Sequence, residues 1–140
     1  MELREQDKPV KTLAEVMNVA PLTVDEEASV LTALAEMRAR RVSAALVGPV
    51  DDPKGIITER DLVDWLHRRL DLATVTCGDV MHSPVFAMDQ NVTYVEGHHE
   101  MARRGVRHLG VLDENGHIKG LVSEGDILGA IGVEYFTEFK

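Results

Sequence analysis

Hydrophobic positions along the chain predict amphipathic helices that alternate with short buried strands. Val30, Leu31, Leu34 and Met37 recur at helical spacing and place one apolar face on a helix over about residues 29–40. The remaining elements predicted in this way are a second helix over 93–104, buried strands over 42–47 and 106–112, strands GIIT and GLVS, and closing helices over 61–70 and 126–131. The order is turn, strand, helix, strand, strand, helix, and it occurs twice.

Two stretches of ten residues repeat one pattern at a distance of 65 residues. Residues 54–63 are KGIITERDLV and residues 119–128 are KGLVSEGDIL, so each has a glycine, two apolar residues, a hydroxyl and an acid three positions later. A Val-Met pair also recurs 64 residues apart, in the short helical turns TLAEVM (12–17) and TCGDVM (76–81), and each turn is followed by a proline. The chain is therefore a duplication of units that do not each bury their own apolar face.

Gly97 lies in the middle of the second predicted helix, in the run GHHEM. Glycine there costs about 1 kcal/mol relative to alanine. We therefore expect a close backbone contact at this position.

The hydroxyl and acid of the repeated stretch have two interpretations. Thr58 and Ser123 can cap a helix by accepting a backbone N–H, and for a single copy capping is the more common explanation. A helix start also suits an anion, and the nearby Asp61 and Asp126 can accept hydrogen bonds from ribose hydroxyls. The recurrence of the whole pattern favours a ligand site in addition to a cap.

Composition restricts the class of protein. The chain has 140 residues, 44% of them hydrophobic and 4% aromatic, so its core is aliphatic. The single cysteine, Cys77, excludes an internal disulfide and fits a reducing compartment. The N-terminal MELREQDKPV lacks the apolar stretch of a secretory signal, and no apolar run is long enough to span a membrane, so we expect a cytoplasmic protein. A net charge of −9 argues against general binding of nucleic acid or of anionic membranes.

Catalytic and metal chemistry find no support in the pattern. His98, His99 and Glu100 are adjacent on a helix and lack the spacing of a chelating pair, so we interpret them as a solvated helix face. His67, His82 and His117 are interpreted as surface or turn positions. No phosphate-binding loop, dinucleotide fingerprint or assembled nucleophile is recognisable, so we expect no enzyme activity, no catalytic residue and no required cofactor.

The ordered duplication resembles the cystathionine beta-synthase (CBS) domain pair over nearly all of residues 12–131. The motifs that support the resemblance are VM before a proline, RRVSAALV and GVRHLGVLD, and the closing GIITERD and GLVSEGD. The resemblance implies an α/β (α+β) fold of two pseudo-twofold-related repeats, each a small mixed sheet with helices packed on it, intertwined into one pair. We place repeat 1 at residues 10–72 and repeat 2 at 73–134, with an N-terminal arm (1–9) and a C-terminal tail (135–140).

The resemblance also implies two clefts that take adenosine-containing ligands such as AMP, ADP, ATP or S-adenosylmethionine. One cleft would combine residues of the second motif with residues of the first repeat: Leu121, Ser123, Asp126, Ala20, Leu22, Val42, Ser43 and Ala44. The other would combine residues of the first motif with residues of the second repeat: Ile56, Thr58, Arg60, Asp61, Ser83, Val85, Val106, Arg107 and His108.

In these clefts the acids would accept hydrogen bonds from the ribose hydroxyls, and Thr58 and Ser123 would donate hydrogen bonds to phosphate. Aliphatic residues would pack on both faces of adenine. Arg107 and His108 would neutralise phosphate in the Thr58 cleft, with help from Arg60. Ser43 and Ala44 offer no base, so the other cleft is expected to be weaker for phosphates. Gly125 and the Gly48-Pro49 pair depart from the internal repeat and are expected to reshape one cleft.

Two functions follow from different classes. The first is a regulatory module for signal transduction or energy sensing, which binds an adenosine ligand and modulates a protein on another chain. The second is a structural or interaction module whose motif residues serve only as caps. A homodimer is expected in both cases, through the closing helices and the apolar tail GVEYFTEF (132–139), which folds either on its own subunit or across to a partner.

Overall fold

A computed structural model describes residues 10–132 of the chain. The elements in chain order are α1 (Leu13–Val16), β1 (Thr23–Val24), α2 (Val30–Arg40), β2 (Ala44–Val47), β3 (Gly55–Thr58), α3 (Asp61–His67), α4 (Cys77–Val80), β4 (Ala87–Asp89), α5 (Tyr94–Arg104), β5 (His108–Leu112), β6 (Ile118–Ser123) and α6 (Glu124–Ile131). The predicted arm and tail lie outside the described residues, apart from Gly132 at the start of the apolar stretch.

The chain divides into two compact units. The central unit is Ala20–Phe86, and the terminal unit contains, among the described residues, 10–19 and 87–132. Each unit has one three-stranded sheet, in the order β1-β2-β3 or β4-β5-β6. In both sheets the first pair of strands is parallel and the second pair is antiparallel. Two small mixed sheets with helices confirm the predicted fold class.

Each unit contains the short helical turn that opens the other sequence repeat. In the terminal unit, the N–H of Leu13 donates to the Val92 carbonyl at 2.8 Å, and Asn18 pairs with Leu121 of β6. In the central unit, the N–H of Cys77 donates to the Ala28 carbonyl at 2.8 Å, and His82 pairs with Ile56 of β3. The boundaries of the compact units therefore differ from those of the sequence repeats. The repeat boundaries stay a prediction.

The core of the central unit is aliphatic around one indole. Val30, Ala33 and Met37 of α2 are at most 3% exposed and pack with Ile57 and Trp65. Leu31 was predicted on this face, and that prediction is wrong, because its side chain is 53% exposed. Successive helical residues point about 100° apart, so a face centred on Val30, Ala33 and Met37 turns Leu31 to solvent.

Gly97 of α5 fulfils the expected close contact in the terminal unit. A Cβ at this position would lie 2.8 Å from Cδ2 of Leu13, which is fully buried. The absence of a side chain therefore lets α1 pack directly on α5.

Candidate functional site

In the central unit, the acid of the repeated stretch, Asp61, contacts the last residue of the preceding strand. The N–H of Thr58, the last residue of β3, donates to Oδ2 of Asp61 at 2.9 Å, and the Thr58 hydroxyl donates to the same oxygen at 3.2 Å. Helix α3 begins at Asp61 with Arg60 as its N-cap residue, and no side chain caps it. Thr58 therefore does not cap the helix as the sequence had suggested, and its hydroxyl instead fixes Asp61.

The second copy in the terminal unit differs in one hydrogen bond. The N–H of Ser123 donates to Oδ2 of Asp126 at 2.8 Å, as in the first copy. The Ser123 hydroxyl accepts the N–H of Asp126 at 3.0 Å and forms a capping box at the start of α6. The capping interpretation is confirmed for this copy, and the hydroxyl proton of Ser123 can still donate to another group.

Two glycines allow the residues that follow α4 and α1 to lie directly against the motif strands β3 and β6. A Cβ on Gly55 would lie 2.5 Å from the Met81 sulfur and 2.7 Å from the His82 carbonyl oxygen. A Cβ on Gly120 would lie 2.5 Å from the Met17 sulfur and 2.9 Å from the Asn18 carbonyl oxygen. The recurrence of glycine with Val-Met is thus explained by one packing contact made twice.

The contact at Gly55 brings His82 to Asp61. Nε2 of His82 lies 2.7 Å from Oδ1 of Asp61, and the side chains are 67% and 17% exposed, respectively. An ionised carboxylate only accepts hydrogen bonds, so we assign the proton to Nε2. The sequence analysis missed this residue by treating it as a surface position. The available signal was its place directly after the repeated Val-Met pair.

Several other predicted residues belong to the central unit, as do Thr58 and Asp61. The Ser83 hydroxyl donates to the Lys54 carbonyl at 2.7 Å, one residue before β3. The Ser43 carbonyl accepts the N–H of Glu59 at 2.9 Å, and Ala44 pairs with Thr58 in the sheet. Ile56, Val42 and Val85 are half-buried, and Ala20 and Arg60 are exposed. Leu22 is 3% exposed and packs in the core.

In the terminal unit, Arg107 and His108 lie beside the second motif. The Arg107 carbonyl accepts the N–H of Glu124 at 2.9 Å, and His108 pairs with Ser123 across β5 and β6. The Arg107 side chain is exposed and Val106 is 37% exposed, whereas Leu121 is 7% exposed. Both predicted clefts draw residues from the two units, so their composition stays a prediction.

The histidines of α5 form no metal site with each other. Nε2 of His98 lies 3.7 Å from Glu124 Oε2, while Glu100 pairs with Arg103 at 2.8 Å. The hydrogen bond from Arg103 holds the pKa of Glu100 below its usual range. Within residues 10–132, no group of three or more His, Cys, Asp or Glu is arranged to hold a metal ion. Nor is any helix of this part long and apolar enough to cross a membrane.

Comparison with protein families identifies the repeats. The CBS domain profile matches residues 13–68 and again residues 77–133. The chain belongs to the CBS domain family. Its two matches form a CBS pair, as the resemblance had implied.

Two relatives of this CBS pair differ in how much of their length it covers. It is 36% identical over 87 residues to an uncharacterized protein of Methanopyrus kandleri, covering 61% of this chain and 44% of that protein. It is 30% identical over 118 residues to Hypoxic response protein 1 of Mycobacterium tuberculosis, covering 83% of this chain and 82% of that protein. The chain thus spans less than half of the first relative and most of the second.

Solved CBS structures share the fold. The CBS domain of a bacterial CNNM/CorC family Mg²⁺ transporter in complex with ATP is 29% identical, with a TM-score of 0.73 over 86% of this chain and 87% of that one. A CBS domain protein of Pyrobaculum aerophilum complexed with AMP is 24% identical, with a TM-score of 0.74 over 82% and 88%. A third CBS domain pair, in complex with 5′-methylthioadenosine and S-adenosyl-L-methionine, is 17% identical, with a TM-score of 0.77 over 87% and 100%.

Proposed function

We propose that this CBS pair is a regulatory module that binds an adenosine-containing ligand and modulates another protein. The ligand class comprises AMP, ADP, ATP and S-adenosylmethionine. The observation that carries the proposal is the carboxylate at the end of each motif strand, Asp61 or Asp126, which the strand's last N–H holds in place. Asp61 and Asp126 are each held by the N–H of the residue three positions earlier, which is compatible with a pair of ribose-binding sites.

The chemistry of these acids suits a ribose. Asp126 accepts the Ser123 N–H and keeps acceptor positions for hydroxyl donors, whereas Asp61 also accepts the Thr58 hydroxyl and the His82 imidazole. A carboxylate held in this way loses little orientational entropy on binding. Phosphate groups would face a net charge of −9, so nearby bases and donors must offset that field. Arg107 and His108, which the resemblance assigns to the Thr58 cleft, lie beside Ser123 at the end of the terminal unit's sheet, and they would supply such groups together with the Ser123 hydroxyl.

Relatives support the ligand class. The transporter CBS domain that binds ATP is 29% identical to this chain, and the AMP and S-adenosyl-L-methionine complexes share its fold. We assign a non-enzymatic role, since a regulatory module needs neither nucleophile nor metal. The cytoplasmic location is assigned on the same basis as in the sequence analysis.

Thermal unfolding of the intact chain tests the proposal. The chain is heated with AMP, ADP, ATP, S-adenosylmethionine or buffer, because a ligand at 100 times its Kd stabilises the folded state by about 2.7 kcal/mol. We expect one of these compounds to raise the melting temperature by several degrees and Asp61→Asn or Asp126→Asn to reduce the rise.

The matched control is Asp71→Asn. Asp71 Oδ1 accepts the Ala73 N–H at 3.1 Å in the segment between α3 and α4, so this variant loses a comparable bond outside the motifs. Its ligand response should equal that of the wild type. Equal loss in all three variants, or no response of the wild type to any compound, contradicts a ligand function at these acids.

An interaction module is the second candidate, and the surface of the closing helices favours it. Val63 and Leu66 of α3 are 73% and 60% exposed, and Leu128 and Ile131 of α6 are 37% and 54% exposed. Each pair lies at i, i+3 on one helix face. We propose that these faces bind a second copy of the chain, giving a homodimer that is compatible with ligand binding.

Light scattering after size-exclusion chromatography tests the dimer. Leu66→Glu should shift the mass from dimer to monomer, because a charge would be buried in an apolar contact. Leu31→Glu is the control, since Leu31 of α2 is similarly exposed but lies on another helix. A wild-type monomer, or equal behaviour of both variants, would refute this interface.

A further inference from the structure

The hydrogen bonds of Asp61 leave little room for a ligand. A carboxylate offers about four acceptor positions, two on each oxygen. The Thr58 N–H and hydroxyl occupy Oδ2 at 2.9 and 3.2 Å, and the His82 imidazole occupies Oδ1 at 2.7 Å. One position therefore remains, whereas the cis-diol of a ribonucleoside donates two hydroxyls.

Of the two groups that hold Asp61, His82 moves at the lower cost. The Thr58 N–H belongs to the backbone at the end of β3, and its hydroxyl lies on the same residue. The His82 side chain is 67% exposed, so water can solvate it when it turns away. Its backbone stays in place in either position, because its N–H and carbonyl both pair with Ile56 at 2.9 Å.

The second motif has a different residue at this place. Asn18 follows Met17 as His82 follows Met81, and it pairs with Leu121 as His82 pairs with Ile56. Any control by an imidazole is therefore confined to the motif of the central unit.

We propose that His82 is a specificity-determining residue of the Asp61 site, whose imidazole competes with the ribose diol for Oδ1 of Asp61. The inference rests on the proposed function and deepens it. Removal of the imidazole would free Oδ1 for a ribose hydroxyl, so adenosine compounds would bind this site more tightly without His82.

Isothermal titration with adenosine tests the inference, because adenosine has the diol and no phosphate. All proteins carry Asp126→Asn, so that the heat reports the Asp61 motif. At a single pH, His82→Ala should bind adenosine about tenfold more tightly than the parent protein with His82 intact, the change that about 1.4 kcal/mol produces.

Two further variants make the test specific. His67→Ala removes an exposed histidine from the end of α3 and should behave as the parent does. His82→Asn copies the residue of the second motif and should behave as His82→Ala does, with far-UV circular dichroism confirming that both are folded. 2′-Deoxyadenosine, which lacks one hydroxyl of the diol, should gain less than adenosine from the removal of His82.

The outcomes separate this inference from the proposed function. Equal binding of adenosine by His82→Ala and His67→Ala would overturn the role of His82 and leave the ligand site intact. Weaker binding in His82→Ala would also overturn it, since the imidazole would then assist the ligand. Binding that Asp61→Asn does not weaken, or no binding in any protein, would refute both the site and the inference.

Discussion

Replacement of Gly55 by alanine gives the sharpest test of how the motif is built. The new Cβ would lie 2.5 Å from the Met81 sulfur and 2.7 Å from the His82 carbonyl oxygen. The methionine side chain can rotate away, but the carbonyl belongs to a backbone that pairs with Ile56 through two hydrogen bonds of 2.9 Å. The strand and the turn must therefore separate.

The cost follows from three contributions. Overpacking costs about 1–3 kcal/mol, and loss of the two backbone hydrogen bonds adds about 1 kcal/mol each. Alanine returns about 0.4–1 kcal/mol by restricting the unfolded chain. We expect the free energy of unfolding of the central unit to fall by about 3 kcal/mol, which lowers a urea midpoint by about 1.5 M at a slope of about 2 kcal/mol per M.

The assay is urea unfolding followed by tryptophan fluorescence. Trp65 is the single tryptophan, lies in the central unit and is 2% exposed, so its emission reports that unit. Gly129→Ala is the control, because among residues 10–132 no atom outside the helix backbone and the adjacent residues lies within 4 Å of the new Cβ, and alanine favours the helix α6. Gly55→Ala with an unchanged midpoint would refute the packing argument for the repeated glycine.

Two further predictions concern caps and turns. Ser123→Ala should destabilise α6 by about 1 kcal/mol through loss of its N-cap. Thr58→Ala should affect the start of α3 less, because Thr58 accepts no N–H of that helix. Urea unfolding followed by far-UV circular dichroism compares the two variants, and equal losses of helix stability would contradict the predicted difference. The N–H groups of His117 and Asn115 hold the pKa of the Asp113 carboxyl below its usual range. A lowered folded-state pKa contributes stability above the unfolded value of about 3.9, and this stability is lost as the pH falls through the folded value. Asp113→Asn should therefore show a flatter loss of stability between pH 5 and pH 2 than the wild type, as measured by urea midpoints, and parallel curves would show that the turn makes no such contribution.

Most of the fold followed from local pattern. The strands end in Thr58 and Ser123 as predicted, and Gly97 makes the expected close contact, because both signals depend on residues near in sequence. Leu31 was predicted on the wrong face because an apolar residue next to Val30 adds to the apolar pattern of the sequence, although it does not lie on the same helix face.

The candidate site was predictable only in part. The acids and hydroxyls were visible as a repeated motif. The role of the Thr58 hydroxyl, which could cap the helix or donate to the Asp61 carboxylate, was not predictable, because it depends on where α3 begins relative to Thr58. His82 was missed because it meets Asp61 through pairing with Ile56, which is 26 residues away. The sequence does not reveal which unit each short turn joins, since the two turns and the two motif strands are nearly equivalent.

The placement of α1 in the terminal unit sets an order of events during synthesis. Ala20–Phe86 is continuous, so the central unit has all its strands once residue 86 has left the ribosome. Residues 12–18 leave before the central unit but must wait for β6, which ends at Ser123, before Asn18 can pair with Leu121. This segment is thus synthesised before the central unit and buried after it, and its Leu13 and Met17 are the apolar groups that a chaperone would meet in the meantime.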